Sequence, residues 1–270
     1  MLTVGCSLLS VVIDLIKDNI PDIRFLYDMK DVLFDQDWLK TAPNFEVYYM
    51  YRGLSQNGKD KEIMEKNNLR YDITVMGPKM LGSEFPKTLG HEHAKTDSSL
   101  SFPEIYEMLK GRCEFLLQRR NNNDILEIYV VRAEQGEKII IPPNYAHFML
   151  NVFDTEIIMA NWSEKNFKSD YQPIKEKRGA CYYAITAPAS SNEGPSFVKW
   201  VKNMNYVNIP ELKIGSAADF NWLLEKFGIN PAEPMYNLVN DISKLDFLKN
   251  PQKYEWPARN AARSVADGTK

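Results

Sequence analysis

Residues 114–151 read EFLLQRRNNNDILEIYVVRAEQGEKIIIPPNYAHFMLN. Four strand-length runs rich in β-branched and aromatic residues follow one another here, EFLLQR, LEIYVVR, KIIIPP and HFMLN, and turn residues such as NNND and EQGE stand between them. The same texture extends outward, to FEVYYMYR and YDITVM before this stretch and to EIIMANW and ACYYAIT after it. No helix-sized segment interrupts the strands from Glu114 to Ile185, which disfavours an alternation of strands and helices. The expectation is a mainly β core, an antiparallel sandwich or barrel, over residues 45–187.

Two flanks frame that core. In residues 1–44 the apolar positions Leu8, Leu9, Val12, Leu15 and Ile16 recur at helical spacing, and Asp14 and Lys17 break the apolar run. This predicts an amphipathic helical arm rather than a signal peptide or a membrane span, for which ~20 apolar residues are needed. Residues 188–270 turn irregular at APASSNEGPS, and AADFNWLLEKFG and NLVNDISKLDFL then carry helical periodicity. This extension is expected to pack on the barrel, with a thin apolar content, and the last residues, NAARSVADGTK, are expected to fray.

Composition narrows the partners. Across 270 residues, 44% hydrophobic and 26% charged content is that of a soluble globular protein, and a net charge of -3 provides no basic field for nucleic acid. Cys6, Cys113 and Cys181 are odd in number and far apart, which argues against a disulfide framework and for a reducing, cytoplasmic location.

The chain has only three histidines, and two of them, His91 and His93, stand one residue apart in LGHEHAKTDS. Side chains at i and i+2 share a face on a strand but diverge on a helix, so one metal could meet both only from a strand. A helical zincin site is excluded, because Lys95 stands four residues after His91. A lone histidine is usually a surface or satisfied core residue, but His147 also directly precedes a strand-like run. With the carboxylate of Glu104 these three would make a nitrogen and oxygen donor set suited to Fe2+, Mn2+, Ni2+ or Zn2+.

The stretch GEKIIIPPNYAHFMLN resembles the second motif of the cupin superfamily, met by Gly136, Pro142, His147 and Asn151, with Asn144 where that motif usually has Gly. His91, His93, Glu104 and Gly111 resemble the first motif, with Phe85 in place of its leading Gly and an insertion, AKTDSSLSFP, before Glu104. Within the cupins, KTLGHEHAKTD, PEIYEMLKGRCEFLLQ and PPNYAHFMLNV are similar to the cupin-type glucose-6-phosphate isomerases of archaea, over about Thr74 to Tyr171. The resemblance implies a cupin barrel and one divalent metal per chain, Fe2+ foremost, on His91, His93, Glu104 and His147. It also implies a sugar phosphate substrate and a homodimer.

On the same resemblance, Thr74, Lys87, Thr88 and Gly90 would line a phosphate end, Tyr171 would contact substrate, and Glu104 would shuttle the proton of an aldose-ketose isomerisation. Tyr106, two residues after Glu104, shares its strand face and could reach the sugar. Trp162 and Ser169 replace polar groups that the family carries at those positions, which keeps a non-catalytic sugar-phosphate-binding cupin open as an alternative. A cupin dioxygenase is another, since iron on such a donor set also activates oxygen. An open edge along EVYYMYR and the apolar arm would be covered by a second copy of the chain.

Overall fold

The computed structural model describes residues 12, 14–187 and 198–256. The expected helix of the arm therefore lies mostly outside the described residues; at its end residues 14–16 are helical, and Val12 and Leu15 are buried. The terminus that was expected to fray and most of APASSNEGPS also fall outside them.

One sheet has six strands in the order β1 (Asp22–Phe25), β2 (Glu46–Tyr51), β3 (Leu69–Met76), β10 (Ile157–Glu164), β5 (Glu104–Lys110) and β8 (Lys138–Ile141), paired antiparallel throughout. The other has β14 (Lys213–Ser216), β7 (Asp124–Glu134), β6 (Arg112–Asn121) and β9 (Ala146–Leu150). Beside β9 the segment 87–91 continues this sheet through the bridges Lys87 to Leu150 and His91 to His147. Two small ribbons complete the barrel, β4 (Glu92–His93) with β11 (Ser169–Asp170) and β12 (Tyr182–Thr186) with β13 (Val198–Lys202).

Strand alternation divides the side chains of the six-stranded sheet. Tyr71, Ile73, Ile105, Leu109, Ile158, Ala160 and Trp162 point out into one apolar cluster, which the C-terminal segment covers with Leu223, Leu224, Met235, Leu245, Phe247 and Leu248. That segment is therefore richer in buried apolar side chains than its helical texture suggested. Its backbone is pinned as well: Glu107 and Lys138 form a buried ion pair at 2.9 Å, and the Met235 amide donates to Glu107 at 2.8 Å.

The edge of β2, expected to be covered by a second copy, is instead paired along Asp22 to Phe25 with the chain's own β1. That removes the edge as a reason for a dimer. The arm is locked down by Lys87, whose ammonium donates to the Val32 carbonyl at 2.7 Å and to Glu84, both side chains being buried.

Candidate metal centre and pocket

The inward side chains of β5, Glu104 and Tyr106, meet the three imidazoles; with His91 they line a pocket, while His93 and His147 are buried. His91, His93, Glu104 and His147 each offer one donor atom, all within 4.8 Å of one another. His93 Nε2 lies 3.0 Å from His91 Nε2 and 3.2 Å from Glu104 Oε2, and His147 Nε2 lies 3.3 Å from that same oxygen. Such spacings suit neighbouring ligands of one cation with bonds of roughly 2.1 Å.

The protonation state suits a metal too. Burial, reinforced by His147 and His93, holds the His91 imidazole well below its usual range. Burial also lowers His147, although Glu104 opposes it. For Glu104 burial acts against ionisation, yet His93 and His147 beside it hold the carboxyl well below the usual carboxylate range. His91 and His147 held neutral beside an ionised carboxylate suit a divalent cation. The cluster could hold a metal ion, and orientation of the donors supports this. His93 Nδ1 donates to the Phe102 carbonyl at 2.6 Å, which leaves the Nε2 lone pair facing the cluster. Nδ1 of His147 is buried with no hydrogen-bond partner among the described residues, and this ring packs against His91, His93 and Tyr106.

The insertion between His93 and Glu104 has a structural counterpart. It carries Phe102 back to His93, and its Ser101 exchanges hydrogen bonds with Asn144, the amide of Asn144 donating at 2.6 Å. Asn144 has φ +67°, the left-handed backbone for which the motif's usual Gly is suited and which Asn tolerates better than most residues.

Glu104 is gripped on both oxygens. The Tyr106 hydroxyl donates to Oε2 at 2.8 Å, and the Asn161 amide donates to Oε1 at 3.1 Å. Asn161 was missed in the sequence, where attention fell on its neighbour Trp162. Trp162 faces away from the pocket, fully buried under the C-terminal segment with Nε1 donating to the Met235 carbonyl at 3.0 Å. Its departure from the family pattern therefore takes nothing out of the pocket. Ser169 does line it.

Of the residues expected at the phosphate end, Thr74, Thr88 and Gly90 line the pocket, as does Tyr171, expected as a substrate contact, and Tyr48 joins them. Lys87 does not: its ammonium is spent on Glu84 and Val32, as described above. The Thr88 oxygen accepts the Met149 amide at 3.1 Å, while its own proton reaches only the Met149 sulfur at 4.0 Å and so stays available to a ligand. Gly90 has φ +77°, and a Cβ there would lie 1.9 Å from the Phe148 ring, so glycine is required whatever it binds. Cations reach this pocket from places the sequence did not suggest. Arg52 and Arg70 line it, and Arg24 of β1 lies 5.7 Å from the centroid of the Tyr171 ring with a buried, unpartnered Nε.

Two sheets, antiparallel except where β14 runs parallel to β7, with three imidazoles and one carboxylate converging inside, define the chain as a cupin. The glucose-6-phosphate isomerase (GPI) family profile matches residues 24–195. The chain is 30% identical over 165 residues to the glucose-6-phosphate isomerase of Thermococcus litoralis, covering 60% of this chain and 80% of that protein. It is 32% identical over 174 residues to that of Thermococcus onnurineus, covering 63% and 85%. Among solved structures it is similar to an oxalate oxidase, with TM-score 0.32 and 16% identity over 67% of this chain and 64% of that one. The chain belongs to the glucose-6-phosphate isomerase family.

Proposed function

We propose that this chain is a metal-dependent glucose-6-phosphate isomerase that interconverts glucose 6-phosphate and fructose 6-phosphate. The observation that carries this is one pocket with two chemically distinct ends. At one end stand His91, His93, Glu104 and His147, and at the other stand Thr74, Thr88, Gly90, Tyr48 and Tyr171. The divalent metal, Fe2+ foremost and Mn2+, Ni2+ or Zn2+ otherwise, would be held by those four residues and, when bound, supplies Lewis acidity at O1 and O2 of the sugar.

Glu104 is the group that moves the proton between C1 and C2. It is ionised, so it can accept the proton, and Tyr106 and Asn161 fix both of its oxygens against rotation. The Thr74 and Thr88 hydroxyls and the Gly90 amide bind the phosphate, and the charge that Lys87 was expected to bring comes from Arg24, against Tyr48 and Tyr171. With Trp162 outside the pocket, its part of the sequence argument for a non-catalytic cupin falls away, which leaves that reading on Ser169 alone.

The test is the purified protein with fructose 6-phosphate, coupled to NADPH production through glucose-6-phosphate dehydrogenase, beside elemental analysis. NADPH formation and one metal per chain are expected; no turnover by protein holding a full metal complement would overturn the proposal. Thr88→Val is expected to raise KM for fructose 6-phosphate ~10-fold with a smaller fall in kcat, because the phosphate is remote from the reacting carbons. An unchanged KM would place the phosphate elsewhere.

A homodimer and a cytoplasmic location belong to the same proposal. The buried free thiols Cys113 and Cys181 fit a reducing compartment, and among the described residues no helix is long and apolar enough to cross a membrane. Light scattering should give twice the 31.2 kDa chain mass, and a monomer at micromolar concentration would remove the dimer.

A further inference from the structure

Along β3 the inward positions are Arg70, Asp72 and Thr74, so the strand that offers Thr74 to the phosphate end carries an arginine two inward positions away. That separation is about 13 Å of extended backbone. Arg70 pairs with Ser163 of β10, and Glu104 begins β5 one step past the Trp162 to Ile105 pair. Arg70, Ser163 and Glu104 thus form one row across three strands, at the metal end of the pocket.

The guanidinium of Arg70 is anchored but not satisfied. Its Nε lies 2.8 Å from Asp72 Oδ2 without the alignment of a hydrogen bond, and its terminal nitrogens have no acceptor among the described residues. Arg52, by contrast, has a partner at each nitrogen: Nε donates to Asp22 at 2.8 Å, one terminal nitrogen reaches Asp72 at 3.4 Å and the other Met50 Sδ at 3.1 Å. Asp72 is buried and also accepts the Gly53 amide at 2.8 Å, so it is a fixed anchor shared by two arginines. Beside Arg70, Ser163 is fully buried and its hydroxyl has no partner among the described residues. Two unspent hydrogen-bonding groups, one of them cationic, therefore stand together where a sugar lying from Thr74 toward Glu104 would end.

We infer that Arg70, positioned by Asp72 and assisted by Ser163, is a second anion subsite, so that the pocket takes six-carbon sugar phosphates carrying a second phosphate on C1. This rests on the phosphate end proposed above. An arginine fork matches phosphate oxygens in pairs, and a pocket with a phosphate contact at either end favours a ligand that is anionic at both.

The probes are glucitol 6-phosphate and glucitol 1,6-bisphosphate, which cannot be isomerised and differ only in the C1 phosphate. Calorimetric titration of the metal-loaded protein should show Arg70→Gln weakening the bisphosphate about 10- to 100-fold while glucitol 6-phosphate changes by less than about twofold. Asp72→Asn should give a smaller loss in the same direction, and Arg70→Lys should keep part of the preference, since it retains charge but not the fork. Equal weakening of both ligands by Arg70→Gln or Arg70→Lys, or no change in either, would overturn the inference and leave Arg70 a rim contact. Failure of glucitol 6-phosphate to bind the parent protein, with Thr88→Val without effect, would instead remove the phosphate end on which it rests.

Discussion

His147→Ala is expected to leave a folded barrel that has lost its metal and at least ~100-fold of kcat/KM. The lower bound follows from metal sites in general, where loss of a mere orienting partner costs 10- to 100-fold, so loss of a ligand costs more. His147 is fully buried in β9 and its Nε2 faces Glu104 and Tyr106, so its removal also takes away a hydrogen-bonding neighbour of the Glu104 carboxylate. The barrel should persist because its strands are held by aliphatic cores on both faces of the six-stranded sheet, which an alanine at 147 does not reach. Circular dichroism reports the fold and elemental analysis the metal; His91→Ala should behave alike. One metal per chain retained in both variants would refute the ligand assignment.

Lys87→Met should be the most damaging single change to stability, about 3–5 kcal/mol by urea denaturation, because it leaves a buried carboxylate without its partner. Lys87 and Glu84 are both buried, and the pair ties residues 32–34 to the barrel through the Val32 carbonyl and the Phe34 amide. Burial already pushes the Glu84 carboxyl above the usual carboxylate range, with Lys87 opposing it, so removing Lys87 pushes it further. A carboxyl raised in the folded state binds protons more tightly there than in the unfolded chain. Its favourable contribution is complete below the unfolded pKa and is lost as pH rises through the folded one. The deficit of Lys87→Met should therefore be largest at neutral pH and above, and shrink as pH falls toward the ordinary carboxylate range. Glu84→Gln together with Lys87→Met should recover part of the loss at neutral pH. A deficit below about 1 kcal/mol, or one that does not vary with pH, would mean that the pair is not what seals the arm.

Much of this protein is decided by local sequence. Runs rich in β-branched and aromatic residues, set off by turn residues, were enough for the longer strands between Phe45 and Thr186, because that preference is written in a strand's own residues. The spacing of His91 and His93 required a strand-like backbone, and that is the one in which the two rings meet Glu104 and His147. The missing motif glycine at 144 was equally legible, since Asn is among the few residues that tolerate the backbone found there.

What stayed hidden depends on partners distant in the chain. EIIMANW is buried on both faces, so its composition contains no alternation from which to tell that Asn161 turns inward and Trp162 outward; only the register against β3 and β5 decides that. The short strand Asp22–Phe25 has no strand signal of its own strength, and it forms because β2 offers an unpaired edge. Lys87 stands in a phosphate-like sequence context, yet its ammonium is captured by Glu84 and a carbonyl contributed by the arm. Arg24, Arg52 and Arg70 lie in three different strands or their ends, and nothing within any one of those segments says that they gather around a single pocket. A long charged side chain goes where the surrounding charges and carbonyls are, and those are placed by the folding of the whole chain rather than by its neighbours in sequence.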